Sequence, residues 1–426
     1  MPEGRAAGRG LPRSGGARAG AVRRATIPPS GSLAPAPHPT PMIACQRPLF
    51  HLPDDEHYLN CAYMSPLARP VEEAGVRGLL SRRVPTGTTP RDFFTGADEV
   101  RARFARLIGG DDASRVALVP AVSYGMATAA RNLKLGRGQT VVVARGQFPS
   151  NVYGWQRACA DAGASVRTVD PPETAEGRGA EWNARLLEAI DRDTAVVTLG
   201  HVHWADGTRF DLEAIGARAR EVGAALVVDG SQSMGALPFD VARVRPDALV
   251  CAAYKTMMGP YSLGIAWYGE RFDGGTPLEE TWLGRLGSED FSALVDYEDA
   301  YQPGAARYDV GERSNFVLLP MLSAALDLLL EWTPEGVQAY CRALMADAVA
   351  EAAGLGFTVE DEAWRGWHMF GLRLPAGVDP ERLQAALRAR RVTVSVRGDA
   401  LRVASSVYNT AADVGALVEA LRDSCK

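Results

Sequence analysis

Residues 227–264 read VVDGSQSMGALPFDVARVRPDALVCAAYKTMMGPYSLG, and they contain a polar side chain at the end of each of two apolar runs. Asp229 directly follows the run 225–228, and Lys255 follows the run 248–251 after a short turn. Runs of this length and composition predict buried strands of a parallel sheet. Because the carboxyl ends of parallel strands meet at one edge, where ligands bind, we expect Asp229 and Lys255 to lie close together.

Three more β-branched runs precede this stretch and alternate with segments of helix length. They lie at residues 115–119, 140–144 and 195–199. This alternation predicts an α/β fold, in which a mainly parallel sheet carries helices on both faces. We assign this large domain to residues 76–310.

A smaller α+β domain is predicted for residues 311–426. The alternating pattern breaks around 301–313, and a long apolar helix at 316–332 follows. Beyond it the sequence predicts short elements in irregular order: strands at 357–359, 369–374, 392–396 and 401–404, and helices at 380–390 and from Thr410 onward. We expect residues 42–75 to form an N-terminal segment that packs on this small domain.

Residues 1–41 differ from the rest in being rich in Gly, Ala, Pro and Arg, with six arginines and one acid, Glu3. Such a composition cannot bury enough apolar surface to fold. We therefore expect a disordered leader, or an over-extended start with Met42 as the true beginning. An arginine-rich, acid-poor leader is also compatible with a transit peptide, and that alternative stays open.

The remainder of the chain is acidic, because the leader is basic while the whole chain has a formal net charge of −5. Clustered lysines and arginines supply most of the affinity for nucleic acids, so we expect no nucleic-acid partner. No apolar stretch reaches the ~18 residues that a membrane-spanning helix needs. We therefore expect no membrane partner and a cytoplasmic location.

Neither the cysteines nor the histidines predict a metal site. The six cysteines are scattered without a CxxC pair, as expected of reduced and mostly buried thiols. His201 and His203 lie two residues apart on a predicted strand and could face the same side, but no third ligand is evident nearby. We predict no metal.

The pairing of Asp229 with Lys255 points to one cofactor chemistry. A lysine at the end of a strand can form an imine with the aldehyde of pyridoxal 5'-phosphate (PLP). A carboxylate across the ring keeps the pyridine nitrogen protonated, which makes the cofactor an electron sink. Gln232, three residues after the aspartate, and the turn 258–260 after the lysine make this combination specific.

With these residues, the stretch 227–264 resembles the class V aminotransferase family of fold-type I PLP enzymes. That family includes cysteine desulfurases, selenocysteine lyases, kynureninases and isopenicillin N epimerases. The resemblance covers about residues 58–423. It implies a PLP cofactor and a mainly parallel sheet of the seven-stranded type in the large domain. It also implies a small C-terminal domain and a homodimer with cofactor sites at the interface.

The resemblance also implies roles for individual residues around the cofactor. Asp229 would pair with the pyridinium nitrogen, Gln232 would contact the ring hydroxyl, and Lys255 would hold the cofactor and move protons. Tyr254 would reach the phosphate, and so would Val122 and Ser123 at the start of a helix predicted for 124–133, where free amides favour an anion. Phe148 would stack on the ring where desulfurases have a histidine, but it cannot exchange a proton.

For the substrate and the partner subunit, the resemblance implies four more residues. Arg402 would grip the substrate carboxylate through a bidentate guanidinium, and Asn60 would contact the same substrate. Ser314 and Asn315 would reach across the dimer interface to the partner's cofactor. Trp204 stands where desulfurases have an asparagine near the ring hydroxyl, so that contact is not expected here.

The desulfurase cysteine is missing from this chain. Desulfurases carry it on a loop before the carboxylate-binding arginine, where this chain has only Val396, Arg397, Gly398 and Asp399. Cys425 is expected in the final helix and cannot substitute for it. We therefore favour an aminotransferase-like enzyme that acts on the α-amino group of a small amino-acid-like substrate. A PLP-dependent lyase or epimerase is the alternative, and a catalytically retired binding or assembly protein is the alternative from another class.

Overall fold

The structure, a computed structural model, describes residues 43–174, 176–398 and 400–426. The predicted leader therefore lies outside the described residues. In the described part, the strands are β1 (His57–Tyr58), β2 (Val116–Val119), β3 (Thr140–Ala144), β4 (Ser165–Val169), β5 (Thr194–Gly200), β6 (Ala225–Asp229), β7 (Ala248–Ala252), β8 (Gly264–Tyr268), β9 (Thr358–Val359), β10 (Phe370–Arg373), β11 (Val392–Thr393), β12 (Ser395–Arg397) and β13 (Ala400–Val403). The helices are α1 (Arg69–Ser81), α2 (Asp92–Leu107), α3 (Val122–Asn132), α4 (Tyr153–Ala162), α5 (Arg178–Ala189), α6 (Leu212–Val222), α7 (Val241–Val244), α8 (Leu318–Trp332), α9 (Pro334–Gly354), α10 (Pro380–Ala389) and α11 (Ala411–Ser424).

Seven strands form one large sheet in the order β2-β8-β7-β6-β5-β3-β4. The pairs from β7 through β4 are parallel, and only β8 runs antiparallel to its two neighbours. Side chains on both faces are buried: Val142 and Leu226 belong to one apolar cluster, and Val141 and Val227 to another. This double burial explains why the strands are continuous apolar runs. The predicted α/β fold with a mainly parallel sheet is confirmed.

Two strands of this sheet were not predicted from the sequence. β4 lies at the edge, is only partly buried, and contains Arg167, which donates to the Ala189 carbonyl and to Asp191 at 2.7 Å each. Its apolar signal is weak because an edge strand faces less of the core. β8 begins with Gly264 and follows a turn that contains Gly259 and Pro260, residues that are uncommon inside strands.

The C-terminal part of the chain contains a second sheet of four antiparallel strands in the order β12-β13-β10-β9. The small C-terminal domain is therefore confirmed as a feature of the fold, while its boundary at residue 311 stays a prediction. The single strand predicted at 392–396 is wrong, because Val394 separates β11 from β12. β11 pairs in parallel with β1 of the N-terminal segment, whereas β12 pairs with β13.

No helix of residues 43–174, 176–398 and 400–426 combines the length and the apolar composition that crossing a membrane requires. The most apolar helix, α8, has 15 residues and packs against α1 and α2.

A buried ionic cluster fixes the segment 301–313, where the strand pattern of the sequence breaks. The carboxylate of Asp309, only 1% exposed, accepts a hydrogen bond from the Leu118 amide at 2.7 Å and forms an ion pair with Arg313 Nη1 at 2.9 Å. It also accepts a hydrogen bond from the Arg101 guanidinium on α2. One carboxylate therefore joins α2, β2 and this segment, just below the point where β2 leads into α3.

We predict that Asp309→Ala destabilises the protein by about 3–5 kcal/mol, because it leaves the buried Arg313 and Arg101 guanidiniums without this anion. Denaturant unfolding followed by circular dichroism measures the loss. The matched control is Asp327→Ala, which removes an exposed partner that lies 2.7 Å from Arg103 and should cost about 1 kcal/mol or less. Equal losses in the two variants would contradict a structural role for the buried cluster.

Candidate active site

Asp229 and Lys255 lie at the same edge of the large sheet. Asp229 is the last residue of β6, and Lys255 follows the end of β7, the neighbouring parallel strand. Both are buried, with exposures of 9% and 8%. Burial lowers the pKa of the Lys255 amine, while the Asp229 carboxylate raises it and Arg402 lowers it further. The lowered pKa makes the amine a better nucleophile than an ordinary lysine.

Aromatic rings surround the Lys255 amine. Its Nζ atom lies 5.1 Å from the centroid of the Phe148 ring and 5.6 Å from that of Tyr254. The Phe148 ring in turn makes an edge contact with Trp204, with centroids 5.4 Å apart. Burial raises the pKa of Tyr254, so its hydroxyl stays protonated and can donate a hydrogen bond. The amine therefore faces a flat apolar wall that offers room for stacking.

Gln232 approaches the same site with an unused acceptor. Its Nε2 donates to the Ala62 carbonyl at 3.0 Å, while its Oε1 is buried and has no hydrogen-bond partner among the described residues. A buried acceptor left unpaired costs about 1–3 kcal/mol. The arrangement therefore suits a ligand that donates a hydrogen bond to this oxygen.

The first turn of α3 supplies amides at this edge of the sheet. β2 and β7 are both antiparallel to β8, so they run in the same direction, and α3 begins at Val122, three residues after β2 ends. The predicted start at residue 124 is two residues late, so Val122 and Ser123 are themselves the first helical residues. Their amides have no intrahelical acceptor and can bind an anion.

Close packing holds α3 against the sheet. A Cβ atom on Gly125 would lie 2.5 Å from a methyl group of Val250 on β7. Any side chain there would push the helix away, so this glycine allows α3 to pack closely against β7.

Arg402, on β13, is a buried cation surrounded by neutral oxygen atoms. Its Nη1 donates to the Trp204 carbonyl at 2.6 Å, and its Nη2 lies 3.4 Å from Ser395 Oγ and 3.5 Å from Asn60 Oδ1. Nε is buried without a partner, and no ion pair joins Arg402 to a carboxylate of the described residues. Burial, followed by the nearby Arg397, lowers its pKa to about 10. A buried charge without a counter-ion is costly, so this position favours an anionic ligand.

Asn60 and Arg402 lie in contact, and their role in binding a substrate stays a prediction. Asn60 is 5% exposed and also accepts a hydrogen bond from Ser395 Oγ at 2.9 Å. Its backbone bridges to Ala404, which ties the N-terminal segment to the C-terminal sheet.

Ser314 and Asn315 do not lie in this cluster of their own chain. The Ser314 hydroxyl donates to the Phe93 carbonyl, and Asn315 Oδ1 accepts hydrogen bonds from the Val317 and Leu318 amides at the start of α8. Both line a cavity of about 640 Å³ between α1, α2 and α8. Their role at a partner's cofactor stays a prediction.

The predicted strand position of His201 and His203 is wrong, because β5 ends at Gly200. The His203 ring nitrogens contact Asp206 at 3.0 Å and the Arg145 carbonyl at 3.1 Å, while His201 packs edge-on against Phe239. Within the described ranges, no group of three or more His, Cys, Asp or Glu side chains is arranged to hold a metal ion.

Three neighbours of the site were not anticipated from the sequence: Cys61, His368 and Ser395. Burial raises the pKa of the Cys61 thiol to about 11, so it stays protonated and is a poor nucleophile. His368 Nε2 donates to the Gln232 carbonyl at 2.7 Å, with the ring tautomer set by Gln338, whose Nε2 lies 2.9 Å from Nδ1. These contacts join residues distant in sequence, which no local pattern could signal.

Comparison with known proteins supports the family that the sequence resembles. The family model described as aminotransferase class-V matches residues 84–417. The chain is 26% identical over 368 residues to the uncharacterized aminotransferase YcbU of Bacillus subtilis, covering 85% of this chain and 93% of that protein. It is 25% identical over 415 residues to isopenicillin N epimerase of Amycolatopsis lactamdurans, covering 86% and 95%.

A solved structure shares the fold. A mutant of C-DES with glycine covalently linked to its PLP cofactor superposes with a TM-score of 0.77 at 18% identity, covering 88% of this chain and 99% of that chain.

Two buried histidines predict acid sensitivity. Burial lowers the pKa of His201 to about 3 and that of His368 to about 4. Both rings are therefore neutral in the folded protein, while in the unfolded chain they bind protons below about pH 6.5. Stability is full above that pH and falls as the pH drops toward the folded-state pKa values.

We predict that His201→Phe reduces the loss of unfolding free energy between pH 7 and pH 5, by up to about 1.4 kcal/mol per pH unit below 6.5. Urea unfolding at the two pH values measures it. His51→Phe, at an exposed position, is the control and should keep the wild-type dependence. A His201→Phe variant as acid-sensitive as the wild type would refute the assignment.

Proposed function

This chain belongs to the aminotransferase class-V family, whose cofactor is PLP, and we propose that it acts on the α-amino group of a small amino-acid-like substrate, as an aminotransferase does. The observation that carries the proposal is the buried Lys255 amine, which faces the Phe148 ring and shares the edge of the sheet with Asp229.

The residues at this edge suit the cofactor. Lys255 would hold it covalently through the ε-amine, and Asp229 would face the ring nitrogen. Gln232 Oε1, which has no partner among the described residues, would accept a hydrogen bond from the ring hydroxyl. Phe148 would lie against the ring, and its phenyl group cannot compete for protons. When bound, the cofactor supplies an electron sink that stabilises negative charge at the substrate α-carbon.

The phosphate of the cofactor has a separate set of donors. The amides of Val122 and Ser123 and the dipole of α3 favour an anion at the helix start. The protonated Tyr254 hydroxyl adds a side-chain donor. Ser65 fixes the backbone of this tyrosine, because its amide donates to the Tyr254 carbonyl at 3.0 Å.

Arg402 and Asn60 would orient the substrate. The guanidinium gains in the substrate carboxylate the counter-ion that it lacks among the described residues, and parallel hydrogen bonds fix the α-carbon relative to the lysine. Once the substrate amine has displaced it from the cofactor, the freed Lys255 Nζ would take the proton from the α-carbon. Its lowered pKa increases the fraction of free base near neutral pH, which general-base catalysis requires.

A lyase or an epimerase is the second candidate, and the likeness to isopenicillin N epimerase supports it. We favour transamination because Lys255 is the one base that we assign to the site, and the rings beside it are those of Phe148 and Tyr254. Transamination moves a proton on one face of the substrate, which needs only one base. The presence of Asp229, Lys255 and Arg402 together argues against a retired protein that serves only in binding or assembly.

We further propose that the protein is a homodimer in the cytoplasm. Leu79, on α1, and Val84, after it, are 62% and 64% exposed near the cavity lined by Ser314 and Asn315, and a second copy could cover them. The free state of all six cysteines supports a reducing compartment. We propose neither a nucleic-acid nor a membrane partner.

The proposed activity predicts that one or more amino acids convert the bound cofactor to its pyridoxamine form and release the matching keto acid. Visible absorbance and product identification measure the two events. Lys255→Ala should abolish both the imine absorbance and turnover, whereas Lys134→Ala, at an exposed position, should leave them unchanged.

Turnover that survives Lys255→Ala would refute the mechanism. Elimination or inversion products without a pyridoxamine form would instead favour the second candidate.

We predict that Arg402→Ala mainly raises KM and weakens kcat/KM by about 2–5 kcal/mol, because a buried pairing with the substrate carboxylate is lost. Steady-state kinetics with the best substrate of the screen measures the change. Arg402→Lys keeps the positive charge but cannot donate two parallel hydrogen bonds as a guanidinium does. Its KM should therefore lie between those of the wild type and Arg402→Ala. A KM unchanged in Arg402→Ala would mean that the carboxylate is bound elsewhere.

A further inference from the structure

Arg397 and Arg402 project from the same face of the C-terminal sheet. In the antiparallel pair β12–β13, Ser395 lies opposite Arg402, and Arg397 lies opposite Ala400. Side chains alternate along a strand, so Ser395 and Arg397, two residues apart, share a face with Arg402. Arg397 is therefore a diagonal neighbour of Arg402, and side chains as long as those of arginine can influence each other from such positions.

Trp204 connects both arginines to the cofactor-binding edge. Its carbonyl accepts the hydrogen bond from Arg402 Nη1 at 2.6 Å, and its ring lies under Arg397, with 5.7 Å from the guanidinium carbon to the ring centroid. The same indole makes the edge contact with Phe148, whose ring faces the Lys255 amine. The second guanidinium thus lies along the wall that leads to the reacting atoms.

Neither guanidinium has an anionic partner among the described residues. Arg397 donates from Nη1 to the carbonyl of Val396, and its Nε is buried without a hydrogen-bond partner. No ion pair within the described ranges includes Arg397 or Arg402, although surface arginines such as Arg145 and Arg391 pair with nearby acids. Arg397 is only partly exposed, so its stem is fixed while its charged end can reach a ligand.

The two like charges disfavour each other. Arg397 is the largest electrostatic cause of the lowered Arg402 pKa after burial itself. A ligand with a single carboxylate would neutralise one guanidinium and leave the other unpaired. A ligand with two negative groups would neutralise both, and complementary charges in a partly buried site give the greatest discrimination between ligands.

Resting on the proposed function, we propose that Arg397 is a specificity-determining residue that binds a second carboxylate, so that the preferred substrate is a dicarboxylic amino acid. Arg402 takes the α-carboxylate, and Arg397, held on the Trp204 ring, takes the carboxylate of the side chain. Asn60 and Ser395 position Arg402 but offer no positive charge to the side chain. Discrimination between acidic and amide side chains therefore depends on Arg397.

The test is a binding titration of the holoenzyme, followed by the absorbance of the bound cofactor, with L-aspartate and L-glutamate against L-asparagine and L-glutamine. The wild type should bind the acids about 10- to 100-fold more tightly than the amides, as expected for one charge-assisted contact. Calorimetric titration of the Lys255→Ala protein with the same four amino acids repeats the comparison without turnover.

Three arginine variants separate charge from structure. Arg397→Gln should lose the preference for acids while keeping its affinity for the amides within about 2-fold, because only the side-chain contact is removed. Arg397→Lys should restore part of the preference, which a merely structural role would not do. Arg192→Gln, at a position with 93% exposure, should match the wild type.

The outcomes distinguish this inference from the proposed function. Amides that bind the wild type as tightly as acids, or an Arg397→Gln variant that weakens acids and amides equally, would overturn the second carboxylate site alone. A wild-type protein that carries the cofactor but responds to no amino acid would overturn the proposed function and this inference together.

Discussion

The whole site depends on two adjacent parallel strands that end at the same edge. In the register of β6 and β7, Asp229 lies opposite Val250, so the lysine turn begins directly beyond the carboxylate. Had β7 run in the opposite direction, Lys255 would lie at the far edge of the sheet. The parallel direction follows from the crossover between the two strands, residues 230–247, which includes α7 and returns the chain to the opposite edge of the sheet.

Around that edge, the protein holds polar groups in states that are unfavourable without a ligand. The Lys255 amine is desolvated, Gln232 Oε1 has no donor, and Arg402 is a buried cation among neutral oxygens. Each costs free energy in isolation. Hydrogen bonds to the backbone hold two of these groups in place: Gln232 Nε2 donates to the Ala62 carbonyl, and Arg402 Nη1 donates to the Trp204 carbonyl. A site of this kind binds by supplying partners that are already oriented, so little ordering is needed on binding.

The sequence predicted the centre of the fold better than its margins. Buried strands such as β6 and β7 are continuous apolar runs, and polar residues at their ends stand out. β4 escaped detection because it is an edge strand with a partly exposed face, and β8 because glycine and proline precede it. The split of 392–396 into two strands depends on partners from distant parts of the chain, which periodicity cannot reveal.

For the site, strand ends and the family resemblance indicated Asp229, Lys255, Phe148 and Arg402, and the structure brings these together. Arg397 was noticed only as part of a shortened loop, because its proximity to Arg402 follows from strand register, not from spacing along the chain.

The pairing of β1 with β11 has a consequence for how the protein is made. The backbone of β1 pairs with residues 392 and 393, and the backbone of Asn60 pairs with Ala404. These hydrogen bonds can form only after the C-terminal residues have been synthesised. During synthesis on the ribosome the large sheet can assemble early from neighbouring strands. The half of the site that contains Asn60 and Arg402 forms only when almost the entire polypeptide has emerged. An incomplete nascent chain can therefore form the sheet edge with Asp229 and Lys255, but not the position that we propose for the substrate carboxylate.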